Sequence, residues 1–135
     1  MQNSQLSNIL KKHRMKLTQQ RQEIFDALTR HSPLTNARLG DLLEDRLDRA
    51  TVYRNLELFE RIGIVKRVWI GWKSQVELSE EFVPHHHHAV CKHCGSHIPI
   101  ESPELESLIK KFSAELNFRL EDHTLDIIGY CAACK

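Results

Sequence analysis

Four cysteines fall in two Cys-x-x-Cys pairs, Cys91/Cys94 and Cys131/Cys134. Two such pairs supply four thiolates, the donor set of a closed tetrahedral zinc site. Gly95 directly follows Cys94 and suits the tight turn of a metal knuckle. Thirty-six residues separate Cys94 from Cys131, so the site would staple the end of one strand to a distant segment across a helix. The other uses of such cysteines are a redox pair or two disulfides. No thioredoxin-like setting surrounds either pair. A site with four protein ligands has no open position, so it would support structure and not catalysis.

The second donor group is the run His85-His86-His87-His88. An expression tag sits at a terminus, whereas this run is internal; a solvated His-rich loop is the other bland reading. If the run is a strand, neighbours point to opposite faces. His85 and His87 then face one way, His86 and His88 the other, and one run can feed two metal sites. Imidazole suits several transition metals, so ligand type alone does not name the ion. Further donors must come from elsewhere. His123 lies shortly before the second knuckle. Glu106 sits early in a helix, where an i,i+4 pair with Lys110 is its alternative role. Glu77 ends a strand and could equally face solvent. His31 stands between two helices and could be a turn residue only. His13, His93 and His97 are left as surface histidines.

The elements that position these residues fall in two halves. Leu6, Ile9 and Leu10 mark a short amphipathic helix. Thr18 can cap a second helix that buries Ile24, Phe25 and Leu28, and His31-Ser32-Pro33 breaks it. Thr35 can cap a third, with Leu39, Leu42 and Leu43 inward. Asp48 can cap a fourth, with Val52, Leu56, Phe59 and Ile62 inward and Gly63 as the stop. Two β-rich runs follow, Ile64 to Ile70 and Ser74 to Leu78, with Gly71 in the turn between them. Helices followed by a hairpin predict a winged helix-turn-helix. Its recognition helix presents Arg49, Thr51, Tyr53, Arg54, Glu57 and Arg61, whose side chains can reach bases and phosphates in a major groove. A solvated charged face is the alternative.

After a polar, proline-closed segment come strands at His86 to Cys91 and His97 to Ile100. Next is a helix opened by Ser102-Pro103-Glu104, with the stripe Leu105, Leu108, Ile109, Phe112 and Leu116. A last strand is expected from Arg119 to Tyr130. The reading is an α+β chain: an N-terminal winged helix-turn-helix domain 1–78, a hinge 79–84, and a small α/β metal-binding domain 85–135 with a four-cysteine zinc site.

Composition agrees with that division. The chain has 135 residues, of which 41% are hydrophobic and 27% charged, an ordinary globular balance. No apolar run is long enough for a membrane span. The first ten residues lack the basic and apolar regions of a signal peptide, so a cytoplasmic location is expected. Met1 to Leu78 carries 14 Lys and Arg against 9 Asp and Glu, a balance of +5; the remainder carries 5 against 9, a balance of −4. A basic front half invites a polyanion and an acidic, His-rich back half invites a cation. No enzyme is expected: His-x-Glu with Pro-Cys-x-x-Cys, His-Glu-x-x-His, a Gly-rich phosphate loop and Gly-x-Ser-x-Gly are all missing.

In order along the chain, these features resemble the ferric uptake regulator (Fur) family of metal-dependent transcriptional repressors. The resemblance rests on Leu17-Thr18 with Arg21, on Arg49-Ala50-Thr51-Val52-Tyr53-Arg54-Asn55-Leu56, and on Gly63-Ile64-Val65. The back half adds the His run with Cys91, Cys94 and Gly95, then His123 with Tyr130, Cys131 and Cys134.

The resemblance implies a homodimer whose back half is the dimerisation domain. It also implies that metal sets two winged helices at the spacing of an AT-rich inverted repeat in double-stranded DNA. It places Tyr53 and Arg54 in the major groove, Lys16 in the minor groove and Arg21 on phosphate. It groups Glu77, His86 and His88 as the regulatory site; the family's ligand just before the third helix has no in-register match here, and His31, nearby in a shorter loop, is the candidate in its place. It groups His85, His87, Glu106 and His123 as a second site, and the four cysteines as structural zinc.

Besides that missing ligand, two positions depart from the pattern. His87 stands where many members have aspartate. Pro99 stands where peroxide-sensing members have an aspartate ligand, which argues against iron-catalysed peroxide sensing. A nitrogen-rich donor set favours Zn2+ or Fe2+ over Mn2+ as the regulatory ion. The reading from a different class is a metal-buffering protein or metallochaperone whose helical half docks a protein partner.

Overall fold

Each of the three capped helices in the first unit starts on a side chain that satisfies an otherwise unpaired N–H group. The computed structural model describes residues 1–70 and 72–135. Gly71, expected in the hairpin turn, lies outside them. The first unit runs from Met1 to Pro84 and the second from His85 to Lys135. Among the described residues, no helix is long and apolar enough to cross a membrane.

In the first unit, α1 (Gln2–Lys12) buries Leu6 and Leu10, one helical turn apart. Thr18 Oγ1 accepts the Arg21 N–H at 3.2 Å and opens α2 (Gln19–His31), which buries Ile24, Phe25, Ala27 and Leu28. Thr35 caps α3 (Asn36–Leu42) in the same way, accepting from Arg38 at 3.1 Å. Asp48 opens α4 (Arg49–Arg61) by accepting the Thr51 N–H at 2.7 Å. Hydrogen bonding from Thr51 holds the Asp48 carboxyl below its ordinary range, because it favours the ionised form. Val52, Leu56 and Phe59 turn inward into the shared core.

Gly63 follows α4 at φ +83°, a conformation that a side chain strains, and releases the chain into the wing. Strands β1 (Val65–Ile70) and β2 (Lys73–Leu78) pair antiparallel, from Val65 opposite Leu78 to Ile70 opposite Lys73. Val76 is fully buried beneath the hairpin. Leu34 exchanges two backbone hydrogen bonds with Val76, at 3.0 and 2.7 Å, and so ties the wing to the α2–α3 connection. Residues 79–84 belong to this unit too. Ser79 Oγ donates to the Gly63 carbonyl at 2.7 Å, and Phe82 meets Phe25 edge-on with ring centres 5.0 Å apart.

The second unit is a three-stranded sheet with one helix. β3 (His87–Cys91) is central, with β4 (His97–Ile100) antiparallel on one side and β5 (Asp126–Gly129) parallel on the other. α5 (Pro103–Glu115) begins on Ser102, whose Oγ accepts the Leu105 N–H at 3.2 Å.

Two features differ from the sequence reading. The last strand is four residues long, not the twelve of Arg119 to Tyr130. β3 is short: it starts at His87, one residue before the His88–Asp126 pair that opens the parallel register, so residues 119–124 lie beyond its end. The apolar stripe of α5 is not buried: Leu108, Phe112 and Leu116 are exposed, as are Ile98, Ile127, Ile128 and Tyr130.

Candidate metal centres and recognition helix

The two knuckles bring all four cysteine sulfurs within 4.8 Å of one another. Each loop closes on backbone bonds, Gly95 N–H to the Cys91 carbonyl at 3.1 Å and Cys134 N–H to the Cys131 carbonyl at 2.9 Å. Gly95 takes φ +75°, which the turn requires and a glycine permits. Four sulfurs about 2.3 Å from a central zinc lie about 3.8 Å apart along the edges of a tetrahedron. Cys94 Sγ and Cys131 Sγ are 3.8 Å apart, so the set fits zinc. All four cysteines are free of disulfides.

Their proton affinities are split. Backbone hydrogen bonds from Cys131 and then Cys94 draw the Cys91 thiol down to about 6, against the effect of burial. The Ser96 hydroxyl and N–H lower Cys94. Cys131 pushes Cys134 up to about 12, with burial acting in the same direction. Sulfurs this close cannot all be anionic unless a cation sits among them, and zinc thiolate chemistry supplies that cation.

The second cluster joins β3, α5 and the segment before β5. His87 is buried, and its Nε2 lies 2.7 Å from Glu106 Oε1. His123 Nε2 lies 2.7 Å from Glu106 Oε2 and 3.1 Å from His85 Nε2. His85 Nε2 stands 3.6 Å from Glu106 Oε1. Three imidazole nitrogens and one carboxylate therefore converge, all within 4.8 Å, at separations suited to one ion with bonds of about 2.0–2.2 Å. Burial pushes the Glu106 carboxyl up, but the His87 hydrogen bond and the charges of His123, His85 and His87 outweigh it and hold it below the ordinary value. The Glu106 carboxylate thus turns to three histidines of the cluster, where the sequence left a pair with Lys110 open.

The run alternates as a strand does. The rings of His85 and His87 are 4.9 Å apart, and those of His86 and His88 are 4.8 Å apart. His86 and His88 belong to the second unit. Glu77 lies in β2 of the first unit, buried, with Lys66 Nζ 3.7 Å from its Oε1. His31 is the exposed last residue of α2.

On α4, Arg54 is exposed and Tyr53 half-buried. Thr51, expected on the outward face, is buried. Its N–H serves the Asp48 cap, its carbonyl accepts the Asn55 amide at 2.9 Å, and Arg54 Nη2 reaches its hydroxyl at 3.5 Å. Position N3 of a capped helix turns toward the preceding loop, which explains the burial. Lys16 is exposed. The Arg21 guanidinium donates to the Lys16 carbonyl at 2.6 Å and to Asn55 Oδ1 at 3.1 Å, so it links α2, the loop before it and α4.

The sequence reading placed Arg49 on the outward face of the recognition helix but gave it no partner, and it did not single out Arg67. Arg49 is clamped by Asp41 and reaches the Ala37 carbonyl and the Tyr53 hydroxyl, each at 3.3 Å. Asp41, and then Tyr53, raise its already high pKa. Arg67 of β1 is gripped by both Glu60 oxygens on α4, at 3.2 and 3.3 Å. Only the odd placement of Gly40 inside a helix, beside Asp41, hinted at the first.

A winged helix joined to a small α/β unit with a four-thiolate cluster and a His/Glu cluster defines a metal-binding regulator. The profile of the ferric uptake regulator family matches residues 12–128. The ferric uptake regulation protein of Neisseria gonorrhoeae is 35% identical over 138 residues, an alignment spanning 96% of this chain and 94% of that protein. The crystal structure of the Vibrio cholerae ferric uptake regulator superposes with a TM-score of 0.76 at 34% identity, covering 93% of this chain and 98% of that one. A zinc uptake regulator complexed with zinc and DNA superposes with a TM-score of 0.63 at 25% identity, covering 96% and 90%. The chain belongs to the ferric uptake regulator family and is a metal-responsive transcriptional regulator of metal homeostasis.

Proposed function

We propose that this chain is a cytoplasmic, homodimeric repressor that binds an AT-rich inverted repeat in double-stranded DNA when metal is bound, and that it has no catalytic role. The observation that carries the reading is one chain with a capped recognition helix and two convergent donor clusters. The likeness to a zinc uptake regulator solved with zinc and DNA supports it.

Residues 1–78 are the DNA-binding domain, 79–84 the hinge and 85–135 the dimerisation domain. The exposed apolar residues of α5 and of the second unit's sheet make an interface with a second copy the natural role of that surface. Cys91, Cys94, Cys131 and Cys134 hold structural zinc. His85, His87, Glu106 and His123 form the second site. Glu77, His86 and His88 are the regulatory donors, with His31 the candidate fourth. Bound metal supplies cross-links among these donors; Zn2+ and Fe2+ fit a nitrogen-rich set better than Mn2+. An ion that favours the DNA-competent arrangement strengthens DNA binding, and DNA strengthens metal binding by the same factor.

On DNA, Arg54 and Tyr53 read base edges in the major groove. Thr51 supports Arg54 from behind, at 3.5 Å. Lys16 enters the narrow, electronegative minor groove of AT-rich sequence. Arg21 steadies Lys16 and α4 and contacts phosphate, which positions without specifying.

The test is fluorescence anisotropy with a labelled AT-rich inverted-repeat duplex and a scrambled control, at fixed salt. Chelator-treated protein is titrated with Zn(II), Mn(II) or anaerobic Fe(II). Metal-dependent preference for the repeat is expected, and Arg54→Ala should cost about 1–3 kcal/mol of it. Metal binding with no DNA preference would overturn the repressor reading in favour of metal buffering.

A further inference from the structure

The chain has two tryptophans, Trp69 and Trp72, and both sit at the outer end of the wing, 65% and 71% exposed. Nothing in the recognition helix or in the metal clusters uses them. Two indoles left in water on one short hairpin are costly unless something covers them.

We infer that Trp69 and Trp72 form a second DNA contact, lying against the sugar–phosphate wall that flanks the groove read by α4, and that they supply affinity without base selectivity. The inference rests on the DNA-binding reading above. Two observations point to a polyanion as the occupant, and a third bears on how the wing is held. From Arg61 to Val76 the chain carries Arg61, Lys66, Arg67 and Lys73 and no Asp or Glu; Lys66 pairs with Glu77 and Glu80 and Arg67 with Glu60, which among the described residues leaves Arg61 and Lys73 as the cations without a glutamate ion pair on this stretch. Lys73 is exposed and adjoins Trp72, and Trp69 lies opposite Ser74. An indole has an apolar face for deoxyribose and one N–H for a phosphate oxygen, and it has no acceptor that would repel one.

The third observation concerns rigidity. Arg67 is two residues from Trp69 on the same strand, so both project from one face of the wing. Its guanidinium holds Glu60 of α4 through two bonds, Ser74 of β2 at 3.0 Å and Asn36 at the start of α3 at 3.4 Å. The strand that carries Trp69 is thereby tied to the recognition helix. The backbone of the wing then needs little ordering on binding, which is what a backbone clamp needs.

The wing holds both tryptophans, so intrinsic indole emission reports on it alone. The zinc-loaded full chain is titrated with an AT-rich inverted-repeat duplex of about 30 base pairs, enough for half-sites a helical turn apart. Anisotropy of a labelled duplex reports binding, and tryptophan emission with acrylamide quenching reports the wing. Both should change with one midpoint, and DNA should protect the indoles. The double variant Trp69→Ala/Trp72→Ala should bind roughly tenfold more weakly, as loss of aromatic anchors does. That loss should be equal on the repeat and on a scrambled duplex, with an unchanged melting temperature. Rising anisotropy with unmoved emission and quenching, or wild-type affinity in the double variant, overturns the inference and leaves the repressor reading standing. A loss confined to the repeat overturns the backbone assignment. An emission shift driven by protein concentration alone assigns the indoles to a protein contact and overturns it. No metal-dependent anisotropy overturns both readings.

Discussion

Gly40 is buried in α3, and a methyl group there would overlap Arg49 Nη1. It would also stand 3.3 Å from Arg49 Cζ and 3.5 Å from the Tyr53 hydroxyl. The obstacle is the end of a flexible, exposed side chain and not backbone. Gly40→Ala should therefore push Arg49 off Asp41 and Tyr53 while leaving α3 in place. Alanine inside a helix gains about 0.5–1 kcal/mol over glycine. The lost Arg49–Asp41 pair, with side chains 45% and 51% exposed, belongs to a kind of ion pair that contributes little. The net change in stability should lie between about zero and 1 kcal/mol in favour of the variant. For a unit of this size that is a rise in melting temperature of at most about 8 °C. On the proposed reading that Tyr53 contacts a base, DNA affinity should move the other way, by roughly tenfold, because a displaced Arg49 no longer holds the Tyr53 hydroxyl. Calorimetry and anisotropy on one preparation measure both. A clear fall in melting temperature would show that the backbone gave way. Unchanged affinity would show that Arg49 and Tyr53 do not shape the binding face.

Cys91→Ser should lose bound zinc and the cooperative melting of the second unit together, measured by metal analysis and calorimetry; an unchanged melting curve refutes a structural role. Phe59 is fully buried in α4, and Phe59→Ala should destabilise the first unit by about 3–5 kcal/mol in urea titration. The Glu106 carboxyl is held below its ordinary 4.5, so its contribution to folding is present above that pH and fades as pH falls through the lowered value. In metal-free protein the stability gap between wild type and Glu106→Gln should shrink on acidification below about pH 4.5, followed by denaturant titration at each pH. A gap that widens refutes the assignment.

Much was legible because the signals are local. Thr18, Thr35, Asp48 and Ser102 each cap the helix that follows, since the bond joins residues three apart. Strand alternation in His85 to His88 follows from the pleat and needs no partner. Two Cys-x-x-Cys pairs announce a tetrahedral thiolate set because each loop prepares half of it.

Sequence alone thus determined the helices and hairpin, the identity of the donors and the charge contrast between the halves. Tertiary structure decided what depends on which neighbour arrives. The extent of β5 was set by the length of β3, not by the β propensity of residues 119–130. The stripe on α5 has helical period, yet among the described residues none of it is fully buried. Glu106 could have paired with Lys110 four residues on; the fold instead brought it to His87, His85 and His123. Arg67 met Glu60 and Asn36, and Arg49 met Asp41, through contacts between elements that no spacing rule encodes. A cap or knuckle is written in a few consecutive residues. A cluster that draws on β3, α5 and the segment before β5 exists only once the sheet has closed.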